Sequence, residues 1–404
     1  MTQLPAGRKE SLRHSLLELG FDEARFTDLS AIGPNRLRQW VDAGYHADME
    51  WLRASIEKRL NPGLVLEGAC SAIMLGINYY PSETRAASQD RWGKYSLYLD
   101  YHDTILKGMK AAGALLESQF GLGPKDYRYY VDTGPVMERG WAAASGMGWQ
   151  GKNGMLISKS HGNWLLLATL LTRLDIESDP PVRKRMNGDF AQAELGALCG
   201  KCTRCIESCP TDAIVEPGLV DANRCISYQT IENKGVIPRE FREGIGSRIF
   251  GCDICLDICP WNRFAKSGRQ VLLSHRYAIA NLELLEILEM DIERFREVFR
   301  KTPIKRLKLR GLLRNACIVA GNLEGNDSWK RDSLHSTWGR SVLDALARLA
   351  SYEEPMVRPH AIWALYRLIG GEARELLTDA RNCETDADAL AEYRWWENSK
   401  ASRG

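Results

Sequence analysis

The 404-residue sequence has no apolar run near the ~18 residues that a membrane-spanning helix needs, and its longest, Trp164–Leu171, is strand-sized. The segment Met1–Ser15 is polar and mixed in charge, with no apolar core and no twin arginine, so no secretory leader is expected. Net charge is also small: 54 Lys and Arg against 52 Asp and Glu leave +2, which excludes a chain-wide field as the basis for binding a polyanion. Outside one short region cysteine is scarce, with only Cys70, Cys317 and Cys383, which are expected to behave as small buried hydrophobes. These absences lead to the expectation of a soluble, cytoplasmic, monomeric chain without membrane contacts. In that reducing compartment, clustered cysteines are metal ligands before they are disulfides.

The remaining eight of the eleven cysteines lie between Cys199 and Cys259. Cys199-x2-Cys202-x2-Cys205-x3-Cys209-Pro210 matches the bacterial ferredoxin run, in which three thiolates hold one [4Fe–4S] cluster and the fourth reaches a second. Cys252-x2-Cys255-x3-Cys259-Pro260 repeats the pattern without its first position, where Ile249 stands, and Cys225 upstream is the replacement. The crossed pattern of such runs groups Cys199, Cys202, Cys205 and Cys259 on one cluster and Cys209, Cys225, Cys252 and Cys255 on the other. Two zinc sites and a disulfide framework are the alternatives. Zinc sites pair one C-x2-C with another and have no use for the third cysteine and the x3-Cys-Pro that follow it.

Three regions separate by pattern. Residues 1–193 alternate helical and strand-like segments, with helices expected over Ser11–Leu19 and Asp103–Phe120 and strands over Ala72–Ile77, Tyr127–Val131 and Trp164–Leu171. This is an α/β domain, closed by a polar, proline-containing linker at Glu177–Met186. Residues 194–266 are the cysteine-rich module, too poor in apolar residues to stand without metal. Residues 267–404 read as α-helical. There Leu313–Ala320 is echoed by Val357–Ala364 at the spacing of HEAT-like helical pairs, with Ser341–Ala350 as an intervening helix and a plain helical bundle as the alternative.

Taken together, these residues resemble the epoxyqueuosine reductases. The resemblance is carried by Cys199–Ile214, Arg224–Glu232, Ile245–Cys255 and Cys259-Pro-Trp-Asn. It continues in Gly44–Met49, Lys58-Arg59, Asp100-Tyr101-His102, Val131–Arg139, Gly148–Asn153 and Arg310–Asn315, and so covers most of the chain. It implies reduction of epoxyqueuosine to queuosine in a tRNA anticodon loop. It also implies an α/β domain carrying cobalamin, a ferredoxin-like module with two [4Fe–4S] clusters fed by an external electron donor, and HEAT-like helices that hold tRNA. Corrinoid chemistry on another substrate, as in reductive dehalogenases, a plain electron carrier and a purely RNA-binding protein are the competing readings.

By residue type alone, Asp132 after a strand and before Thr133-Gly134-Pro135 is a turn or capping aspartate. The resemblance makes it the proton donor, which requires burial to raise its pKa. It further implies Arg59, Arg139, Lys152, Asn153 and Leu156 as cobalamin or substrate contacts, with Ser227 and Asp253 beside the ligand cysteines. His102 is read as a structural residue or a substrate contact, without cobalt ligation. Between Val298 and Leu323 there is no acidic residue but Arg300, Lys301, Lys305, Arg306, Lys308, Arg310 and Arg314, read as a phosphate-contacting stripe. Trp92, Trp141, Trp149 and Trp261 are candidates for base stacking, although most tryptophans are expected in the core.

Overall fold

The computed structural model of the chain describes residues 3–29, 36–80, 91–186, 189–192, 195–323 and 336–401. Contacts gather the chain into two units. One comprises residues 1–84, 98–225 and 253–275, and the other 85–97, 226–252 and 276–404. The α/β segment and seven of the eight clustered cysteines therefore fold together, while residues 226–252 and Cys252 go with the C-terminal helices.

The first unit is built on a four-stranded sheet of order β1-β2-β4-β3, from β1 Glu23–Asp28, β2 Ser71–Asn78, β3 Tyr127–Tyr130 and β4 Leu165–Thr172. Every pairing is antiparallel: Ile73 faces Phe26 and Leu170, and Tyr130 faces Thr169. All eight residues of β2 are buried, as its unbroken apolar run demands of a central strand covered on both faces. β1 carries no such run in Glu-Ala-Arg-Phe-Thr-Asp and alternates burial, so its strand state depends on pairing with β2. Helix α1 (Ala6–Glu18) is tied down by Arg13 and Lys9, which both reach the buried Asp179 carboxylate. Helix α2 (Tyr101–Phe120) starts at Asp100, whose carboxylate accepts the His102 N–H, and stops at Gly121 with φ 70°. A short helix, α3 (Glu138–Ala144), follows the β3 turn. The expected linker is replaced in part by a hairpin, Arg183–Met186 paired with Asp189–Gln192; backbone pairing there overrides a composition that reads as a loop.

The second unit is helical: α4 Ile226–Ile231, α5 Arg239–Ile245, α6 Lys308–Gly321, α7 Thr337–Leu349, α8 Arg358–Ile369 and α9 Ala387–Ala401, with shorter turns between. Helix α6 is buried almost throughout and packs on α8. At Gly321 a Cβ would come within 2.9 Å of the Ala364 Cα, so this glycine allows the two backbones to approach.

Arg314 corrects the basic-stripe expectation. It is completely buried and donates to the carbonyls of Asn233, Gly235 and Gln229, while Asn315 donates to those of Thr230 and Ile249. Burial pushes its pKa down to about 9, but no phosphate can reach it. Arg310 pairs with Glu354 and Arg306 with Glu232. Arg300, Lys301, Lys305 and Lys308 are exposed without an ion pair among the described residues. Trp92, Trp141 and Trp149 are core side chains, at most 1% exposed, and cannot stack on bases; Cys383 is exposed, whereas Cys317 is buried. Replacing Arg314 leaves five backbone carbonyls with two donors in place of five, so Arg314→Ala should destabilise the helical unit by about 3–5 kcal/mol. The shift of the urea midpoint measures it; an unchanged midpoint would show that these carbonyls find other partners.

Candidate functional site

The cysteine loops are short turns with little secondary structure of their own. Cys202 and Cys205 flank the start of a one-turn helix, Arg204–Glu207, which packs on its counterpart Ile254–Asp257, and Cys209 and Cys259 each follow such a helix and precede proline. Cys199, Cys202, Cys205 and Cys259 line one open pocket of about 360 Å³, together with Lys152, Arg204 and Trp261. Burial, and then the adjacent thiols Cys199, Cys259 and Cys202, push the Cys205 pKa up to about 11. A thiol so placed stays protonated until a metal displaces the proton. Cys209 Sγ accepts the Ala213 N–H at 3.3 Å, and Cys225, Cys252 and Cys255 are half-buried. Among the described residues, no group of three or more His, Cys, Asp or Glu side chains closes on a point that a single ion would fill. The four thiols line one pocket, and thiolates are the ligands an iron–sulfur cluster takes.

Side chains from the neighbouring glycine-rich loop hold these turns. Lys152 Nζ donates to the carbonyls of Gly200 (2.8 Å) and Cys202 (3.0 Å). Asn153, 4% exposed, donates to the Cys255 carbonyl and to Asn163 Oδ1, and accepts the Met155 N–H. Both side chains are thus spent on the cysteine loops. Leu156 is 5% exposed and belongs to the core cluster with Met74 and Trp141. Ser227 lies in the helical unit and Asp253 in the first unit.

A second constellation forms where the end of β3 meets the start of α2. Asp132 has φ 58°, and Thr133 N–H donates to the Val131 carbonyl across it at 2.7 Å, closing a three-residue turn in the left-handed region. Gly134 follows because any Cβ there would lie 2.2 Å from the Tyr130 ring. Tyr101 Oη donates to Asp132 Oδ2 at 2.6 Å; His102 Nε2 lies 3.7 Å from the same oxygen, and its Nδ1 is 2.7 Å from Asp100 Oδ1. The Tyr101 and His102 rings stack with centroids 4.0 Å apart. Burial opposes charge on His102, but Asp100 and Asp132 outweigh it and lift its pKa to about 9, so the ring is an imidazolium at neutral pH.

Asp132 itself is not buried: its side chain is 59% exposed at the tip of the turn. The expected burial is absent because the turn projects the carboxylate outward, and the protonated groups are its neighbours. Burial, and then the Asp132 charge, raise the Glu138 pKa to about 8, and Glu138 accepts the Asp132 N–H at 3.1 Å. Arg139 keeps exposed surface, and lost solvation pushes its pKa down against the pull of Glu138 and Asp132. Arg59 is shifted the same way and donates to the Val136 carbonyl, while Arg139 donates to that of Gly154. Sequence reading missed Glu138 and the His102–Asp132 link. Both depend on contacts across the turn, and Glu138 lay inside the quoted Val131–Arg139 segment with no pattern to single it out.

Two family models match: "Epoxyqueuosine reductase QueG, DUF1730" over residues 59–133, and "4Fe-4S double cluster binding domain" over residues 198–262. The chain is 36% identical to the epoxyqueuosine reductase of Vibrio cholerae over 357 residues, covering 86% of this chain and 89% of that protein. It is 33% identical to that of Pseudomonas aeruginosa over 371 residues, 90% and 95% of the two chains. Among solved structures, an epoxyqueuosine reductase with a tRNA-Tyr epoxyqueuosine-modified stem loop superposes with a TM-score of 0.81 at 27% identity, covering 96% of this chain and 98% of that one. The Bacillus subtilis epoxyqueuosine reductase, with its catalytic aspartate loop swung out of the active site, matches with a TM-score of 0.80 at 27% identity and the same coverage.

If one cluster is held by the pocket thiols, Cys205→Ser and Cys259→Ser should each lower reconstituted iron from about eight to about four per chain, with the same surviving spectrum. Cys209→Ser should leave the other spectrum. Iron analysis with electron paramagnetic resonance checks this, and different survivors for Cys205→Ser and Cys259→Ser would contradict the grouping.

Proposed function

The chain belongs to the epoxyqueuosine reductase family, and we propose that it removes the epoxide oxygen of epoxyqueuosine in a tRNA anticodon loop to leave queuosine. The observation that carries this reading is that one unit holds both a four-thiol pocket and an outward-facing carboxylate backed by an imidazolium. Loss of the oxygen as water consumes two electrons and two protons, so a one-electron carrier chain and a proton source must serve the same reaction.

Cys199, Cys202, Cys205 and Cys259 would hold one [4Fe–4S] cluster and Cys209, Cys225, Cys252 and Cys255 the other, and the pair would supply one-electron transfer from an external donor. Arg59 and Arg139 lie close enough to act on each other and present two cations that suit a ligand bearing phosphate and amide groups, and Arg139 reaches the loop of Lys152, Asn153 and Leu156 through the Gly154 carbonyl. Cobalamin held there would supply low-potential, nucleophilic metal chemistry, and the family resemblance assigns Ser227 and Asp253 as further contacts. Asp132 delivers a proton to the departing oxygen, and His102, whose Nε2 lies 3.7 Å from its carboxylate, restores it. In the Bacillus subtilis relative the catalytic aspartate loop is swung out of the active site, and the Asp132 loop is read as the corresponding movable element. The exposed cations Arg300, Lys301, Lys305 and Lys308, on a helical unit we read as HEAT-like, contact tRNA phosphates. The chain works as a cytoplasmic monomer; among the described residues no helix is long and apolar enough to cross a membrane.

Anaerobic reconstitution with iron, sulfide and cobalamin, followed by assay on tRNA carrying epoxyqueuosine, tests the reading. The expected result is about eight iron atoms per chain, bound corrinoid and the alkene product; clusters without bound corrinoid, or no product, would reject it. Turnover should fall as pH rises through about 9, where His102 loses its proton, and His102→Gln should remove that limb. A pH–rate profile that keeps the limb in the variant would assign it elsewhere.

A further inference from the structure

Glu138 takes no part in the electron or proton route described above, yet it makes the contact that defines the geometry of the acid. The Asp132 backbone sits at φ 58°, a region uncommon for residues with a side chain, and a Thr133-to-Val131 bond closes the turn. Tyr101 holds the carboxylate, and Glu138 Oε1 accepts the backbone N–H. Glu138 is not there to neutralise charge, since Asp132 and Glu138 are both acids. Its bond is to the peptide, and a carboxyl oxygen accepts it whether or not the group carries its proton, since burial and the Asp132 charge raise the Glu138 pKa to about 8 against the pull of Arg139 and Arg59.

We propose that Glu138 is a positioning residue: its Oε1 latches the Asp132 N–H and so holds the turn with the acid in its working position. The proposal rests on Asp132 as the acid. The latch joins two parts of the same segment, β3 with its turn and the first residue of α3, so releasing one hydrogen bond lets residues 131–134 relax toward an unstrained backbone. Tyr101 grips only the side chain, which can rotate about its own bonds, so it cannot replace a contact to the peptide itself. A glutamine keeps a carbonyl oxygen at the same reach and can still accept the N–H, whereas alanine cannot.

Hydrogen–deuterium exchange over residues 131–134, measured on the wild-type protein, Glu138→Gln and Glu138→Ala, tests the latch without relying on turnover. Glu138→Ala should exchange roughly tenfold faster there, the consequence of losing one hydrogen bond, while Glu138→Gln restores most of the protection. On the reconstituted enzyme, Glu138→Ala should lower kcat for epoxyqueuosine tRNA by roughly the same factor with KM little changed, and Glu138→Gln should rescue it. Iron content and melting temperature should match the wild type in both variants. Wild-type exchange in Glu138→Ala, or equal acceleration in both variants, would overturn the latch. An inactive wild-type enzyme would instead reject the function proposed above and leave the exchange result to judge the latch.

Discussion

Irregular backbone that carries reactive groups has to be held by side chains, because it has neither a helix nor a sheet ladder to satisfy its carbonyls. This constraint recurs in both units. In the first, Lys152 and Asn153 donate to Gly200, Cys202 and Cys255, and Asn262 donates to Leu256. In the second, Arg314 and Asn315 satisfy five carbonyls between Gln229 and Ile249. The cysteine segments are too short to build a core of their own, so these buried donors do what apolar packing does elsewhere.

The Asp132 turn follows the same rule with strain added. A left-handed aspartate is uncommon, and here a phenol, an imidazolium and a second carboxylate meet around it. The arrangement separates two tasks. Tyr101 and His102 act on the carboxylate and its proton, while Glu138 acts on the peptide that aims it. Under the proposed function, an exposed acid is one that a base splayed from a large RNA loop can reach, and the His102 imidazolium keeps a proton at hand near neutral pH. A buried aspartate would carry a raised pKa of its own but would be shut off from such a substrate.

Much of this was legible in the residues. Cysteine spacing pointed to two clusters, and the runs in β2, β3 and β4 and the period of α2 placed the sheet and the helix that bracket Asp132. What stayed hidden depended on partners distant in sequence. β1 has no strand pattern without β2, and the 183–192 hairpin reads as a linker until its two halves pair. Arg314 looks like the other cations of its segment, and only tertiary packing turns it inward. The same holds for the site: His102 and Glu138 acquire meaning from a turn that brings them to Asp132, and nothing local to either residue announces it.

The central claim is that Asp132 gives the proton while the electron path runs independently of it. The most direct measurement is anaerobic single-turnover conversion of epoxyqueuosine tRNA by Asp132→Asn, with reduction of the clusters followed in the same samples. The account predicts cluster reduction, corrinoid content and tRNA affinity like those of the wild type, with product formation slowed by roughly 10²–10⁴-fold. Product formed at the wild-type rate would contradict it.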